Sequence, residues 1–265
     1  MANSINITLT KLLHFNKNTN SKVYEATSRN GDSFILKKTR VTRRTHMKKQ
    51  DIPFELYALT KLARVGVVGV VKLHTHMLGD ENKTVYFVFK KKPSMFDLFD
   101  HIGQNGRMSD VIAIRIFKAI VETLKQVHAA GIVHNDVKDE NILIDVVTGE
   151  TMLIDFGSSF RYPAGGIAPK SMGRQSTQIH MPPEYHSSTA DTFDVLASTV
   201  WSLGCLLHTM IFGSEPFDSV AEIGKRKFSY KWYDTDLVMD LMHQCLVVDV
   251  SKRIKFGDLL NHPCF

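Results

Sequence analysis

At 265 residues, 43% hydrophobic and 23% charged, the chain has the composition of an ordinary soluble globular protein, either one large domain or two lobes sharing a hinge. Cys205, Cys245 and Cys264 are odd in number and scattered, which suits free thiols in a reducing compartment and argues against a disulfide frame or a zinc site. The formal charge of +6 is unevenly spread: residues 1–93 hold 18 Lys and Arg against 6 Asp and Glu, and residues 94–265 hold 15 against 21.

No charged-then-apolar leader with a small-residue cleavage site opens the sequence, so an intracellular protein is expected. The first ninety residues read as strands with one helix. Residues 23–26 and 34–37 alternate around Asn30-Gly31, a strong hairpin signal. Asp51 is a candidate helix cap with Pro53 in the first turn, where a missing N–H does no harm. Phe54, Tyr57, Ala58 and Leu62 then recur at helical spacing. Residues 85–89 read as a buried strand ending at Lys90-Lys91-Lys92-Pro93. His74 and His76 come nearest to a metal-ligand spacing, and are expected on one face of a strand or loop instead.

From residue 94 the pattern turns helical. Ser109 opens an amphipathic helix with Ile112, Ile116, Ile120, Leu124 and Val127 on one face and Gly131 just past its end. Short strands are expected at residues 142–144 and 152–154. Residues 158–184 form a polar segment of little periodicity, long enough to be a functional loop. Residues 195–212 contain no Asp, Glu, Lys or Arg, close to the length that spans a bilayer. Ser198, Thr199, Ser202, Gly204, His208 and Thr209 interrupt this stretch and no basic cluster flanks it. A buried central helix is expected, and no membrane partner. The architecture that results is α+β and bilobal: a small β-rich lobe with one main helix over 1–89, a hinge at 90–93, and a larger helical lobe over 94–265. The acidic second part favours basic substrates. The basic first part is a solvated face or a nucleic-acid contact that could coexist with catalysis.

The chemistry-bearing run is His134-Asn135-Asp136-Val137-Lys138-Asp139-Glu140-Asn141, followed by an apolar stretch and Asp155-Phe156-Gly157. Phosphoryl transfer requires positioned charge more than covalent help: a carboxylate for the attacking hydroxyl, cations on the phosphates and oxygen ligands for magnesium. Asp136, Lys138, Asn141 and Asp155 supply those parts at the spacing H-R-D-x-x-x-x-N … D-F-G, with Asn135 in place of Arg. Upstream, alternation puts Lys37 on a face with Ile35 and turns Lys38 the other way. Glu55 is the only glutamate between Glu25 and Glu81; the bland reading of Lys37 and Glu55 is a surface ion pair.

With Asp97-Leu98-Phe99-Asp100, Pro182-Pro183-Glu184, Val200-Trp201-Ser202-Leu203-Gly204 and Asn261-His262-Pro263, nearly the whole chain resembles a eukaryotic-type Ser/Thr protein kinase. It is similar to the PIM and calcium/calmodulin-kinase-like branch. In compact length, reduced glycine loop and Asn135 it most resembles the baculovirus protein kinase 1 family. The resemblance implies ATP as phosphoryl donor and Mg2+, with Mn2+ as substitute. It makes Asp136 the group that orients the substrate hydroxyl and accepts its proton, Lys138 the charge neutraliser, and Thr177 their hydrogen-bonding partner. Asn141 and Asp155 hold the metal, and Lys37 binds the α/β-phosphates with Glu55 holding it. The glycine-loop positions fall on Asn16, Asn18 and Ser21. Val23, Ile35, Phe89 and the backbone around Lys91 face the nucleotide, with Asp97 near the ribose. His134 and Phe156 are structural, as is the pair Glu184–Arg253. Asp97, Asp100, Asp139 and Glu140 are candidate receivers for arginines of a basic protein substrate. The viral family implies a small Arg/Ser-rich DNA-packaging protein as that substrate, in the host nucleus or cytoplasm or in the virion.

Three departures qualify the pattern. The nucleotide loop has no glycine, although Asn tolerates left-handed geometry best among side-chain residues, so looser nucleotide binding is expected. Asn135 cannot repay the desolvation of a phosphate as Arg does, so activity independent of phosphorylation between Ser158 and Thr177 is expected. Thr199 replaces an aspartate that steadies the catalytic loop. The competing reading is a pseudokinase scaffold. The missing glycines favour it, while intact Lys37, Asp136, Asn141 and Asp155 argue against it. A small-molecule phosphotransferase would not require Pro-Pro-Glu with a matching Arg253.

Overall fold

The computed structural model describes residues 7–16, 21–41, 53–79, 83–145, 147–223 and 236–265. Packing divides the chain into two units, Met1–Gly66 with Val71–Met95, and Val67–Val70 with Phe96–Phe265. The first is β-rich with one main helix and the second is largely helical, which is the fold class expected from the sequence.

The first unit is a five-stranded antiparallel sheet in the order β1-β2-β3-β5-β4, from β1 (Ile7–Asn16), β2 (Ser21–Ser28), β3 (Ser33–Arg40), β4 (Leu73–Gly79) and β5 (Thr84–Lys90). The β2–β3 turn uses Gly31 at φ 86°, a conformation that glycine adopts without steric cost. Its ends are tied by Ser28 N to Asp32 O at 2.9 Å and Gly31 N to Ser28 O at 3.0 Å. Alternation along the strands makes two faces. On one, Ala26, Phe34, Leu36 and Val88 form a buried cluster flanked by Ile7, Tyr24 and Tyr86. The other carries Lys37, Thr39, Val85 and Phe87, all buried. Helix α1 (Phe54–Arg64) starts from Pro53 at its N-cap; Asp51, the expected cap, lies outside the described residues. It buries Glu55, Leu56, Ala58, Leu59 and Leu62. Phe54 and Tyr57 are less enclosed and sit ring to ring at 5.4 Å, so the buried stripe is turned from the one the spacing suggests.

The second unit contains α2 (Leu98–Asn105), α3 (Asp110–Ala129), α4 (Pro183–His186), α5 (Val195–Phe212), α6 (Val220–Ile223) and α7 (Leu237–Cys245). In α3, Ile116, Ile120, Leu124 and Val127 are buried as expected, but Ile112 is 41% exposed. Ala113, Phe117 and Val121 complete the buried stripe instead. The uncharged helix α5 is long and apolar enough to cross a membrane by length and composition, and 78% of it is buried within the fold. Asp194 caps it, its Oδ1 accepting from Ala197 N at 2.9 Å. A Cβ on Gly204 would lie 2.8 Å from Cys245 Cβ, so this glycine lets α5 and α7 approach closely.

Residues 67–70 pack with the second unit although α1 and β4 flank them. Gly69 O accepts from Leu153 N at 2.7 Å, and Val68 N donates to Gln126 Oε1 at 3.1 Å. The segment expected as a loop over 158–184 contains short ladders. Phe160–Arg161 pairs with Ile132–Val133, and Ile167–Pro169 pairs with Thr192–Asp194. Both ladders pack on a cluster of Val133, Phe160, Ala168, Met181, Tyr185, Phe193 and Val195.

Candidate active site

In the β-rich unit, cross-strand pairing gathers Val23, Lys37 and Phe87 in one row and Glu25, Ile35 and Phe89 in another on the same face. Lys37 Nζ donates to Glu55 Oε1 at 2.7 Å, with both side chains nearly closed to solvent. A pair so buried is not the surface ion pair of the bland reading. Of the glycine-loop positions, Asn16 closes the β1–β2 ladder opposite Ser21, and Asn18 lies outside the described residues. Ser21 is buried and its hydroxyl shares a hydrogen bond with Thr39 Oγ1 at 3.2 Å, a cross-strand tie rather than an exposed phosphate contact. Lys91 extends the sheet through its N–H to Ser33 O at 3.0 Å and pairs with Glu25, so its own amide is not available to adenine.

In the helical unit the carboxylate of Asp136 is fixed on both oxygens. Oδ1 accepts from Thr177 N at 2.8 Å and Thr177 Oγ1 at 2.9 Å, and Oδ2 accepts from Asn141 Nδ2 at 3.0 Å. Asn141 Nδ2 also donates to Asp136 O at 2.8 Å. The Asp136 backbone N–H donates to His134 Nδ1 at 3.3 Å, which makes Nε2 the protonated nitrogen, donating to Ile154 O at 2.9 Å. The fully buried His134 ring meets Phe156 edge-on at 4.7 Å.

Lys138 Nζ stands 3.9 Å from Asp136 Oδ2 and contacts Glu140. Burial disfavours its charge, but Asp136, Glu140 and Asp155 outweigh that effect and raise its pKa. Asp155 sits at φ 58°, with Oδ1 accepting from Gly157 N at 2.9 Å.

Asn135, also left-handed at φ 67°, donates from Nδ2 to Ser158 O and Met172 O, both at 3.1 Å. Its carbonyl accepts from Ser176 Oγ. A neutral amide thus ties the catalytic loop to the start and the middle of the segment over 158–184. Thr199 bonds back within its own helix, to Val195 O at 2.8 Å. The loop carbonyls are steadied instead by Ser176 and by Ser159 Oγ on His134 O at 3.1 Å. Glu184 and Arg253 form a two-pronged pair at 2.7 and 2.8 Å. The fully buried guanidinium also donates to Ala197 O and Val247 O and lies 4.9 Å over the Trp201 ring.

A protein kinase domain model matches residues 17–265. The chain belongs to the protein kinase family. It is similar to the Serine/threonine-protein kinase pim-2 of Danio rerio, 36% identical over 181 residues that cover 66% of this chain and 55% of that protein. It is also similar to the Serine/threonine-protein kinase prk-2 of Caenorhabditis elegans, 30% identical over 241 residues that cover 86% of this chain and 51% of that protein. The 3-phosphoinositide-dependent protein kinase 1 of Arabidopsis thaliana is 28% identical, covering 68% and 42% respectively. The chain spans about half the length of the curated relatives it matches.

For this kinase domain the metal ligands expected are Asn141 and Asp155. Hydrogen bonding commits the Asn141 amide nitrogen, and its amide oxygen accepts no hydrogen bond among the described residues. One amide oxygen and one carboxylate suit Mg2+, which takes few protein oxygens and completes its shell with phosphates and water. No three-ligand cluster of His, Cys, Asp or Glu occurs among the described residues.

The acids assigned to substrate arginines divide. Glu140 is exposed. Asp139 is 5% exposed, and burial together with the charge of Glu215 pushes its pKa up to about 6. It is a buried acid and not a surface receiver. Asp97 caps α2, its Oδ1 accepting from Asp100 N at 2.7 Å, and burial raises its pKa. Sequence reasoning missed the pair His180 Nε2–Glu215 Oε2 at 2.7 Å, because no spacing links partners 35 positions apart. It also missed Ser176, whose place beside Thr177 was its only signal.

Proposed function

We propose that this kinase domain transfers the γ-phosphoryl group of ATP to serine or threonine hydroxyls of basic proteins. The observation that carries this reading is the Asp136 carboxylate, anchored by Thr177 and Asn141 and flanked by Lys138. Anchoring one carboxylate oxygen twice fixes the direction in which the other can receive a proton. Asp136 orients the substrate hydroxyl and takes its proton as the oxygen attacks phosphorus. Lys138, kept cationic by its three acidic neighbours, neutralises charge on the transferred group. Lys37, held by Glu55, binds the α- and β-phosphates. Asn141 and Asp155 would hold Mg2+, which supplies charge neutralisation on the phosphate oxygens.

The acidic balance of residues 94–265 and the exposed Glu140 favour arginine-rich substrates. The finer affiliation we propose is the baculovirus protein kinase 1 family. The glycine-free loop and Asn135 support it, and they make a small Arg/Ser-rich DNA-packaging protein the preferred substrate. A scaffold without chemistry would have no use for both the Lys37–Glu55 pair and the Thr177–Asp136 pair.

The test is transfer of labelled phosphate from ATP to a basic Ser-containing protein, with Asp136→Asn as control. Transfer lost in the variant while its thermal unfolding is unchanged is the expected result. Equal transfer by the variant would remove Asp136 from its role.

A further inference from the structure

One face of the β-rich unit carries an arrangement that phosphoryl transfer does not use. Cross-strand partners Phe15, Lys22, Lys38, Tyr86 and Met77 form a single row over all five strands. Direct cross-strand partners share a face, and this is the face opposite Lys37. Lys22 Nζ lies 5.3 Å from the Phe15 ring centroid and Lys38 Nζ 5.3 Å from that of Tyr86. The next row adds Arg40 opposite Thr84. Lys22, Lys38, Arg40 and Thr84 line a concavity of about 210 Å³, several times the roughly 30 Å³ share of one water. Among the described residues none of these three cations pairs with a carboxylate, whereas Lys37 and Lys91 of the same sheet pair with Glu55 and Glu25.

We propose that this sheet face binds single-stranded nucleic acid. Three cations with no carboxylate partner among the described residues attract phosphates around a concavity, and the balance of 18 basic to 6 acidic residues over 1–93 deepens that field. The flanking rings decide the class of ligand. Strands about 4.8 Å apart put Phe15 and Tyr86 roughly 14 Å from each other, with both lysines between them. Unpaired bases stack on such rings while the backbone crosses the lysines, whose flexible stems swing from ring to phosphate. A duplex hides its base faces, and a phosphorylated peptide would leave the two rings without a role. Phe15 is 42% exposed and open to a base.

The test is fluorescence anisotropy of the full chain with a labelled oligo-dT and with a duplex of equal length, over a salt series. The combined variant Lys22→Gln, Lys38→Gln, Arg40→Gln is expected to weaken oligo-dT binding at least about tenfold. It should also lower the slope of log affinity against log salt by about 2, near 0.7 for each phosphate that is no longer neutralised. Phe15→Leu with Tyr86→Leu keeps the apolar surface and is expected to weaken binding about tenfold with the slope unchanged. Should the triple variant unfold, Arg40→Gln alone changes an exposed residue and is expected to lower the slope by about 0.7. Unchanged affinity in the cation variants overturns the proposal. So does a ring variant that binds as wild type, or tighter binding of the duplex or of a phosphopeptide of equal charge. Transfer to a peptide substrate stays intact in all these variants, so failure here is distinct from failure of the kinase reading.

Discussion

Thr177 donates twice to one oxygen of Asp136, through its backbone N–H at 2.8 Å and its hydroxyl at 2.9 Å. Thr177→Ala keeps the backbone N–H that donates to Asp136, so it tests the hydroxyl alone. A hydrogen bond to a charged group contributes about 1.5–3 kcal/mol, which corresponds to a loss of roughly ten- to a hundredfold in kcat. Thr177→Ser should recover most of it. Steady-state kinetics of the two variants check this, and equal kcat for Ala and Ser would show that the hydroxyl has no part in positioning.

Asn135 stands where an activation-segment phosphate would otherwise find an arginine, and its amide already spans Ser158 O and Met172 O. The order that phosphorylation supplies elsewhere is built in by neutral hydrogen bonds. Phosphatase treatment of purified enzyme should leave activity unchanged. Asn135→Ala removes both hydrogen bonds and leaves at φ 67° a residue that tolerates left-handed geometry less well than Asn, so it should lower both kcat and the melting temperature. Loss of wild-type activity on dephosphorylation, restored by rephosphorylation, would contradict this.

The Glu184–Arg253 pair anchors the segment beyond Thr177, and its buried guanidinium has four of its donors engaged. Removing one partner of a buried pair typically costs about 3–5 kcal/mol, because the other charge is left uncompensated. Glu184→Gln should therefore destabilise the domain by that order in urea unfolding. Glu184→Gln with Arg253→Met should be less destabilised than the sum of the two single variants. Strict additivity would mean that the two residues act independently.

How much of this was legible depended on whether the signal was local. Asn30-Gly31 marked its turn because only glycine fits φ 86° there without strain. The catalytic run was readable because phosphoryl transfer fixes both residue type and spacing. The short ladders at Phe160–Arg161 and Ile167–Pro169 were not, since two or three residues carry no periodicity. Asp139 looked like a surface acid beside Glu140, and only tertiary packing revealed its burial and the neighbouring charge of Glu215. The row from Phe15 to Met77 is set by strand register, which no single strand encodes.

Two buried groups give stability a predictable dependence on pH, with opposite signs. Burial, aided by the neighbouring His134, lowers the pKa of His128 to about 4, and neither ring nitrogen has a hydrogen-bond partner among the described residues. The unfolded chain protonates this imidazole near its ordinary value of 6.5, so between 6.5 and 4 the unfolded state binds more protons. Stability present above 6.5 is lost as pH falls through that window, by about 3 kcal/mol at most. Asp139 behaves oppositely. Its folded pKa of about 6 lies above the ordinary carboxyl value of 3.8, so the folded state holds the proton more tightly and stability falls as pH rises from 4 through 6. His128→Phe should flatten the acid-side loss, and Asp139→Asn should stabilise the domain at pH 7 with little change at pH 4. Urea unfolding of both variants across pH 4–7.5 checks the signs, and parallel profiles for wild type and variants would show that neither group is linked to folding.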